Sequence, residues 1–182
     1  MFSASLIYSL ANRTLNFKII TPDNATIGAW FAFSDPYYRS LHSIPTNPAE
    51  HVIPALKHSP AILFLHGNAA TRAFSSRIQL IKSFSSRLGA NVLIIDYRGF
   101  GDSSGTPSET GLVTDAKAAF DWLILNGKRA EDILIMGHSL GTGVSGQLGA
   151  QFNKEGIVCK GIVFLAVSNV QSITVTNYLT SV

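Results

Sequence analysis

Four short apolar runs constrain this chain more than any other feature: "AILFL" from Ala61, "NVLII" from Asn91, "DILIM" from Asp132 and "GIVFL" from Gly161. Each is strand-sized, and none alternates with polar residues. That pattern predicts strands buried on both faces, as in a parallel sheet covered by helices. The intervals between them carry helical periodicity. Phe74, Ile78, Ile81, Phe84 and Leu88 fall on one face and Gly89 follows as a stop. Thr106-Pro107-Ser108-Glu109 has the form of a capping box with proline at the first helical position; Leu112, Ala116, Phe120 and Leu123 then form a buried stripe, ended by Asn126-Gly127. A third helix, "LGTGVSGQLGAQFNKE" from Leu140, is rich in small residues that let it approach the sheet closely. Strand and helix in this alternation predict an α/β fold with a mostly parallel, doubly wound sheet and right-handed crossovers.

Upstream, "LNFKII" and "TIGAWFAF" flank the turn-rich "TPDNA", which predicts an antiparallel hairpin leading into the sheet. Residues 34–60 hold five of the seven prolines and are expected to form a long irregular loop with at most one short helix, leaving His42, His51 and His58 solvated. At 182 residues and 46% hydrophobic content the chain suits one domain, taken as 15–182 after an N-terminal extension, 1–14. That extension lacks a basic leader, and no segment reaches the roughly 18 apolar residues of a membrane span. The formal charge of +3 is too small to mark a nucleic-acid binder. Arg72, Arg77, Lys82 and Arg87 recur every five residues, scatter around a helix axis, and are expected in solvent. Cys159 is the single cysteine, so no intrachain disulfide forms; it is expected to be a packing residue.

The third interval carries the chemistry. Gly137-His138-Ser139-Leu140-Gly141 fits G-x-S-x-G, the strained strand-to-helix turn that lifts a serine hydroxyl to the top of a sheet. Glycines are expected at 137 and 141 because helix and strand approach too closely there for side chains. The plainer alternative is an ordinary glycine-rich turn. A second site should supply backbone donors for the oxyanion formed when an acyl carbon becomes tetrahedral. "LFLHGNAA" offers one: after His66 and Gly67 the amide of Asn68 could face a substrate beside the amide of Leu140, or else His66 merely closes a strand and Gly67 a loop.

"HGNAA", "DYRGFGDSSGTPSETGL" and "GHSLGTGV", in this order and spacing, resemble the α/β-hydrolase superfamily, in particular its membrane-associated branch of lysophospholipid and monoacylglycerol lipases. The resemblance implies a serine hydrolase of lipid-like esters, with Ser139 as nucleophile and the Asn68 and Leu140 amides as oxyanion hole. It implies membrane-surface association, and an architectural role for Gly99 and Gly101 in a loop beside the site. It also implies that an acid and a histidine follow the nucleophile, and here the sequence departs from the pattern. Beyond Ser139 there is no Asp and no His, and the one carboxylate, Glu155, falls about 24 Å along the helix at 1.5 Å per residue. Among upstream groups, His138 is expected to point away from the hydroxyl and His66 to be the nearest substitute base. Asp96 and Asp102 have no histidine to orient.

After "GIVFLA" the family pattern stops; "ITVTNYL" is equally readable as an improvised strand or a frayed helix. The chain is therefore expected to be C-terminally truncated, lacking the last strands and helices of the fold. That leaves "GIVFL" as a bare edge that invites self-association. With no triad base or acid, little or no turnover is expected. A non-catalytic binding module on the same scaffold is the alternative. A dinucleotide site is disfavoured, since Gly141 to Gly146 matches G-x-G-x-x-G only inside the helix, and no acidic residue ends the next strand. No Gly-Lys-Ser/Thr occurs and no Cys/His/Asp cluster has metal-ligand spacing, so no cofactor or metal is expected.

Overall fold

In a fully apolar strand, successive side chains still point to opposite faces, so each run feeds two separate cores. The computed structural model describes residues 13–165 and a strand at 173–176. Strands β1 (Thr14–Ile20), β2 (Thr26–Ala32), β3 (Ala61–Leu65), β4 (Asn91–Ile95), β5 (Ile133–His138), β6 (Gly161–Leu165) and β7 (Ile173–Thr176) form one sheet in the order β1-β2-β4-β3-β5-β6-β7. β1 and β2 make the expected antiparallel hairpin, β2 joins β4 antiparallel, and β4, β3, β5 and β6 are mutually parallel. Asn24, in the hairpin turn, takes a positive φ of 63°.

The helices cover both faces. α3 (Ser75–Arg87) packs Ile81 and Phe84 on Ile62, Phe64, Val92, Ile94 and Met136. On the other face α4 (Glu109–Leu125) and α5 (Leu140–Glu155) cover Leu63, Leu65, Leu93, Ile95 and Ile135. Phe120 and Phe152 join these two helices with ring centroids 4.5 Å apart. Because β3 leads to α3 on one face and β5 to α5 on the other, the carboxyl ends of β3 and β5 part company. This is a topological switch point, where open α/β sheets leave a crevice.

Several expectations change. Residues 34–60 are not an irregular loop: α1 (Asp35–Ser40), a 3-10 turn (Pro48–His51) and α2 (Val52–His58) occupy most of them. Ser34 caps α1, its Oγ accepting from Tyr37 N, and Val52, Ala55 and Leu56 bury α2 against the sheet. Pro36, Pro48 and Pro54 sit in first turns, where the missing N–H costs nothing. α4 starts at Glu109 rather than Pro107, because the capping residue is Ser108, whose Oγ accepts from Gly111 N at 3.1 Å. Phe74 and Leu88 flank α3 instead of joining its buried face and are about half exposed. The edge of β6 is not bare, since β7 pairs antiparallel with it from Ile162 to Leu165; the edge expected to drive self-association is occupied. The N-terminal extension before residue 13, and the segments 166–172 and 177–182, lie outside the described residues.

The largest departure concerns charge. Arg72 and Arg77, expected in solvent, are 6% and 5% exposed. Arg72 pairs with Asp96 and with Asp102, the latter at 2.7 Å. Arg98 is bound by Asp115 from three directions, through its main-chain N at 2.7 Å, Nε at 3.0 Å and Nη2 at 2.8 Å, and by Asp23 at 2.6 Å. Together these ion pairs tie the 96–105 loop to α4, to the hairpin and to the segment after β3.

Asp96 gives a test in acid. Burial pushes its carboxyl up, but His66 and the amide and guanidinium of Arg72 outweigh burial and hold it below the usual carboxylate range. A depressed folded-state value contributes stability above the unfolded value of about 3.9, lost as the pH falls through the folded value. Urea midpoints should therefore fall between pH 5 and pH 3, and Asp96→Asn should show a smaller fall over that interval. Equal falls in both proteins would remove Asp96 from the acid response.

Candidate active site

The turn between β5 and α5 is held in a conformation that side chains normally avoid. Ser139 has φ 51° and ψ −115°, a backbone strain of about 1–3 kcal/mol that must be over-determined by its surroundings. Ser139 N donates to Leu165 O at 3.2 Å, and the Ser139 carbonyl accepts from Thr142 N at 2.8 Å and from Thr142 Oγ1 at 2.6 Å. The flanking glycines make room. A methyl at Gly137 would stand 2.7 Å from Gly141 C and overlap the Ser145 hydroxyl; one at Gly141 would stand 2.6 Å from Leu65 C and overlap its carbonyl. Ser139 itself is exposed. Leu140 opens α5, so its amide is one of the helix-terminal donors without an intrahelical acceptor, at the positive end of the helix dipole.

The segment after β3 faces this turn. Gly67 lies so close that a methyl there would be 3.0 Å from Ser139 Cβ and from His138 Nδ1. His66 is fully buried; its Nδ1 donates to Gly67 O at 2.7 Å, and since a carbonyl can only accept, Nδ1 carries the hydrogen. Asn68 Oδ1 accepts from Ala69 N at 2.9 Å, and Ala69 and Ala70 both have positive φ, 58° and 54°. The Asn68 N–H finds no acceptor among the described residues. Of the residues expected at this site, Ser139, Leu140, Gly67 and Asn68 come together, with Gly137 and Gly141 as their support.

Beside them opens a cleft of about 420 Å³. Asn68 and Leu140 form one wall, and Phe100, Leu112, Val113 and Val144 make the interior largely apolar. Glu109 and Gln147, hydrogen-bonded to each other, also line it. Phe100 belongs to the 96–105 loop, in which Gly99 and Gly101 have positive φ.

The structure places no proton acceptor on the serine. Among the described residues Ser139 Oγ has no hydrogen-bond partner. His66 is turned to the sheet side, with Nε2 3.4 Å from Asp96 Oδ1. His138 keeps a buried Nδ1 without a partner; burial, then the charges of Arg77 and His66, push this imidazole below its ordinary value. Asp102 is taken by Arg72 and Lys18. His51, expected in solvent, is half-buried with Nδ1 2.8 Å from Tyr37 Oη. Glu155 ends α5, accepting from Gln151 at 2.7 Å, far from the turn. Among the described residues no group of His, Cys, Asp or Glu is arranged to hold a metal ion, and no helix is long and apolar enough to cross a membrane. Cys159 is half-buried, and burial pushes its thiol up.

Residues 60–179 match the model of a family described as having the alpha/beta hydrolase fold. The chain is 42% identical over 139 residues to the lysophosphatidylserine lipase ABHD12 of Rattus norvegicus, covering 75% of this chain and 33% of the relative. It is 34% identical over 154 residues to human protein ABHD12B, covering 85% of this chain and 41% of the relative. It thus spans about a third of the length of the lipases it matches. Among solved structures, an α/β hydrolase from Vibrio vulnificus superposes with a TM-score of 0.65 at 19% identity, over 87% of this chain and 48% of the other. An esterase from Pyrococcus furiosus gives 0.58 at 22% identity, over 84% and 49%. The parallel core, the hairpin that precedes it and the family match agree: this chain belongs to the α/β hydrolase fold family.

Proposed function

We propose that this chain carries the nucleophile and oxyanion hole of a serine hydrolase acting on lipid-like carboxylic esters, and that residues 1–182 by themselves turn such esters over slowly or not at all. The observation that carries the reading is the Ser139 backbone, φ 51° and ψ −115°, kept in place by close approach at Gly137 and Gly141. In this reaction Ser139 Oγ gives up its proton and attacks the acyl carbon, and the oxyanion of the resulting tetrahedral intermediate sits between the Asn68 and Leu140 amides; the ester C–O bond then breaks, the alcohol leaves as its oxygen takes up a proton, and water releases the acid from the acyl-serine that remains. Lysophospholipid and monoacylglycerol esters suit the apolar cleft beside Leu140, and the name of the ABHD12 relative, lysophosphatidylserine lipase, points to the first of these. Such substrates bring the protein to a membrane surface. The proton of Ser139 is the step left unprovided, because among the described residues no histidine or carboxylate hydrogen-bonds to Oγ.

That gap can be filled from outside. In buffer alone a fluorophosphonate probe should label Ser139 weakly; added imidazole should raise the rate at least several-fold by accepting the proton as the P–F bond breaks and fluoride departs. Ser139→Ala should abolish labelling, read as intact mass. Strong labelling without imidazole would show that a base is already in place and overturn the low-turnover half of the proposal. That Ser139 Oγ has no partner among the described residues also favours a second reading, a non-catalytic binding module. It predicts no serine-dependent labelling with or without imidazole, together with saturable binding of a monoacylglycerol micelle.

A further inference from the structure

The buried cation Arg77 has an unusual set of partners. Its four hydrogen bonds all go to main-chain carbonyls: Nη1 to Thr71 O at 2.8 Å, and Nη2 to Gly67 O at 2.8 Å, Asn68 O at 3.3 Å and Ala69 O at 2.7 Å. These are the carbonyls of the loop that faces Ser139. The loop includes two alanines at positive φ, a conformation that needs outside support. Arg77 reaches it from the first turn of α3, which is anchored in the core by Ile81 and Phe84.

Peptide planarity turns this contact into a statement about the oxyanion hole. In a trans peptide the C=O and the N–H of the next residue point in opposite directions. Gly67 O is held by Arg77 Nη2 and His66 Nδ1, so the N–H of that same peptide, the Asn68 amide, is aimed to the other side and cannot rotate without breaking both bonds. Gly67 itself stands against Ser139. The guanidinium also sets a positive charge behind the loop, on the side away from the developing oxyanion, with no carboxylate bonded to it among the described residues. A buried cation with its donors spent on one loop's carbonyls is more than a surface helix requires.

We infer that Arg77 is a positioning residue for the hydrolase site: by clamping the carbonyls of Gly67, Asn68 and Ala69 it presents the Asn68 amide to the oxyanion formed at Ser139. The inference rests on the reading of Ser139 as nucleophile. Neutral side chains of similar length cannot replace the clamp, and a lysine ammonium, a point donor in place of a fork, replaces it in part.

The test uses the full 182-residue chain with imidazole supplied and measures phosphonylation of Ser139 as a function of fluorophosphonate concentration. This separates the maximal rate from the half-saturating concentration. Arg77→Gln should lower the maximal rate about 10²-fold, as loss of an oxyanion donor does, with the half-saturating concentration unchanged. Arg77→Lys should fall between the two. A folded Arg77→Gln protein that reacts at the wild-type rate overturns the inference and leaves the nucleophile reading intact. Should Arg77→Gln fail to fold, Arg77→Lys decides, and a wild-type rate in that variant is equally fatal. A wild-type protein that is unreactive even with imidazole, and indistinguishable from Ser139→Ala, instead removes the nucleophile reading and the positioning role with it.

Discussion

Gly141→Ala should destabilise the protein by about 3 kcal/mol, at the upper end of overpacking losses, because the new methyl has no direction in which to yield. It would stand 2.6 Å from Leu65 C and 3.0 Å from His66 O, and both are main-chain atoms at the end of a central strand. A flexible side chain could move aside; the β3 backbone, bonded to β4 and β5, cannot. Relief therefore has to come from α5 lifting off the sheet, which would also displace the Leu140 amide and relax Ser139. Two measurements should change together, the denaturant midpoint and the imidazole-assisted labelling of Ser139. As a control, Gly143→Ala on the same helix, where no atom lies within 4 Å of the added methyl, should be neutral or slightly stabilising. Equal stability of the two variants would contradict the close approach on which the turn depends.

Asp115→Ala should have a comparable or larger effect, about 3–5 kcal/mol, the usual cost of removing one partner from a buried ion pair. Asp115 is fully buried on α4, and Arg98 is 8% exposed. Without the carboxylate, the Arg98 main-chain N–H and Nε lose their acceptors, and only Asp23, itself about half exposed, still faces the guanidinium. The double replacement Arg98→Met with Asp115→Leu is the informative comparison. It leaves no uncompensated buried charge, since Asp23, which loses its partner, is about half exposed, and it should recover most of the loss. If the double variant is as unstable as Asp115→Ala, the pair is held for its geometry and not for charge compensation. Because Phe100 and Pro107 of the same region line the cleft, both variants should also weaken binding of apolar esters.

Much of the architecture was legible because it rests on local patterns. The apolar runs at 61, 91, 132 and 161 became four adjacent parallel strands, and the stripe of Leu112, Ala116, Phe120 and Leu123 became the buried face of α4. The candidate turn was legible for the same reason, since glycines two residues either side of a serine, between a strand and a helix, leave few other conformations. Local patterns failed where one element's character depended on another. The proline-rich 34–60 segment accommodates helices because Pro36, Pro48 and Pro54 fall in first turns, and the helices gain stability by packing Tyr37, Val52 and Leu56 on the core. The start of α4 lies two residues later than the capping-box pattern suggests because Ser108, extended at φ −146° and ψ 154°, caps the helix through its Oγ. The sequence carries one signal for Arg77, a cation just after a glycine-containing loop in a stretch from His51 to Ile95 without a single acid, so acceptors other than carboxylates must serve it there.

The sequence by itself determined the strand–helix order, the two faces of the sheet and the strained turn at Ser139. Each follows from which side chains can be buried and which backbone angles only small neighbours permit. Tertiary structure alone decided which charges lie inside, because burying a guanidinium is favourable only where acceptors from distant parts of the chain converge: Asp96 and Asp102 on Arg72, Asp115 and Asp23 on Arg98, loop carbonyls on Arg77. It also decided that neither His66 nor His138 bonds the serine hydroxyl, a matter of side-chain direction that spacing along a chain does not encode.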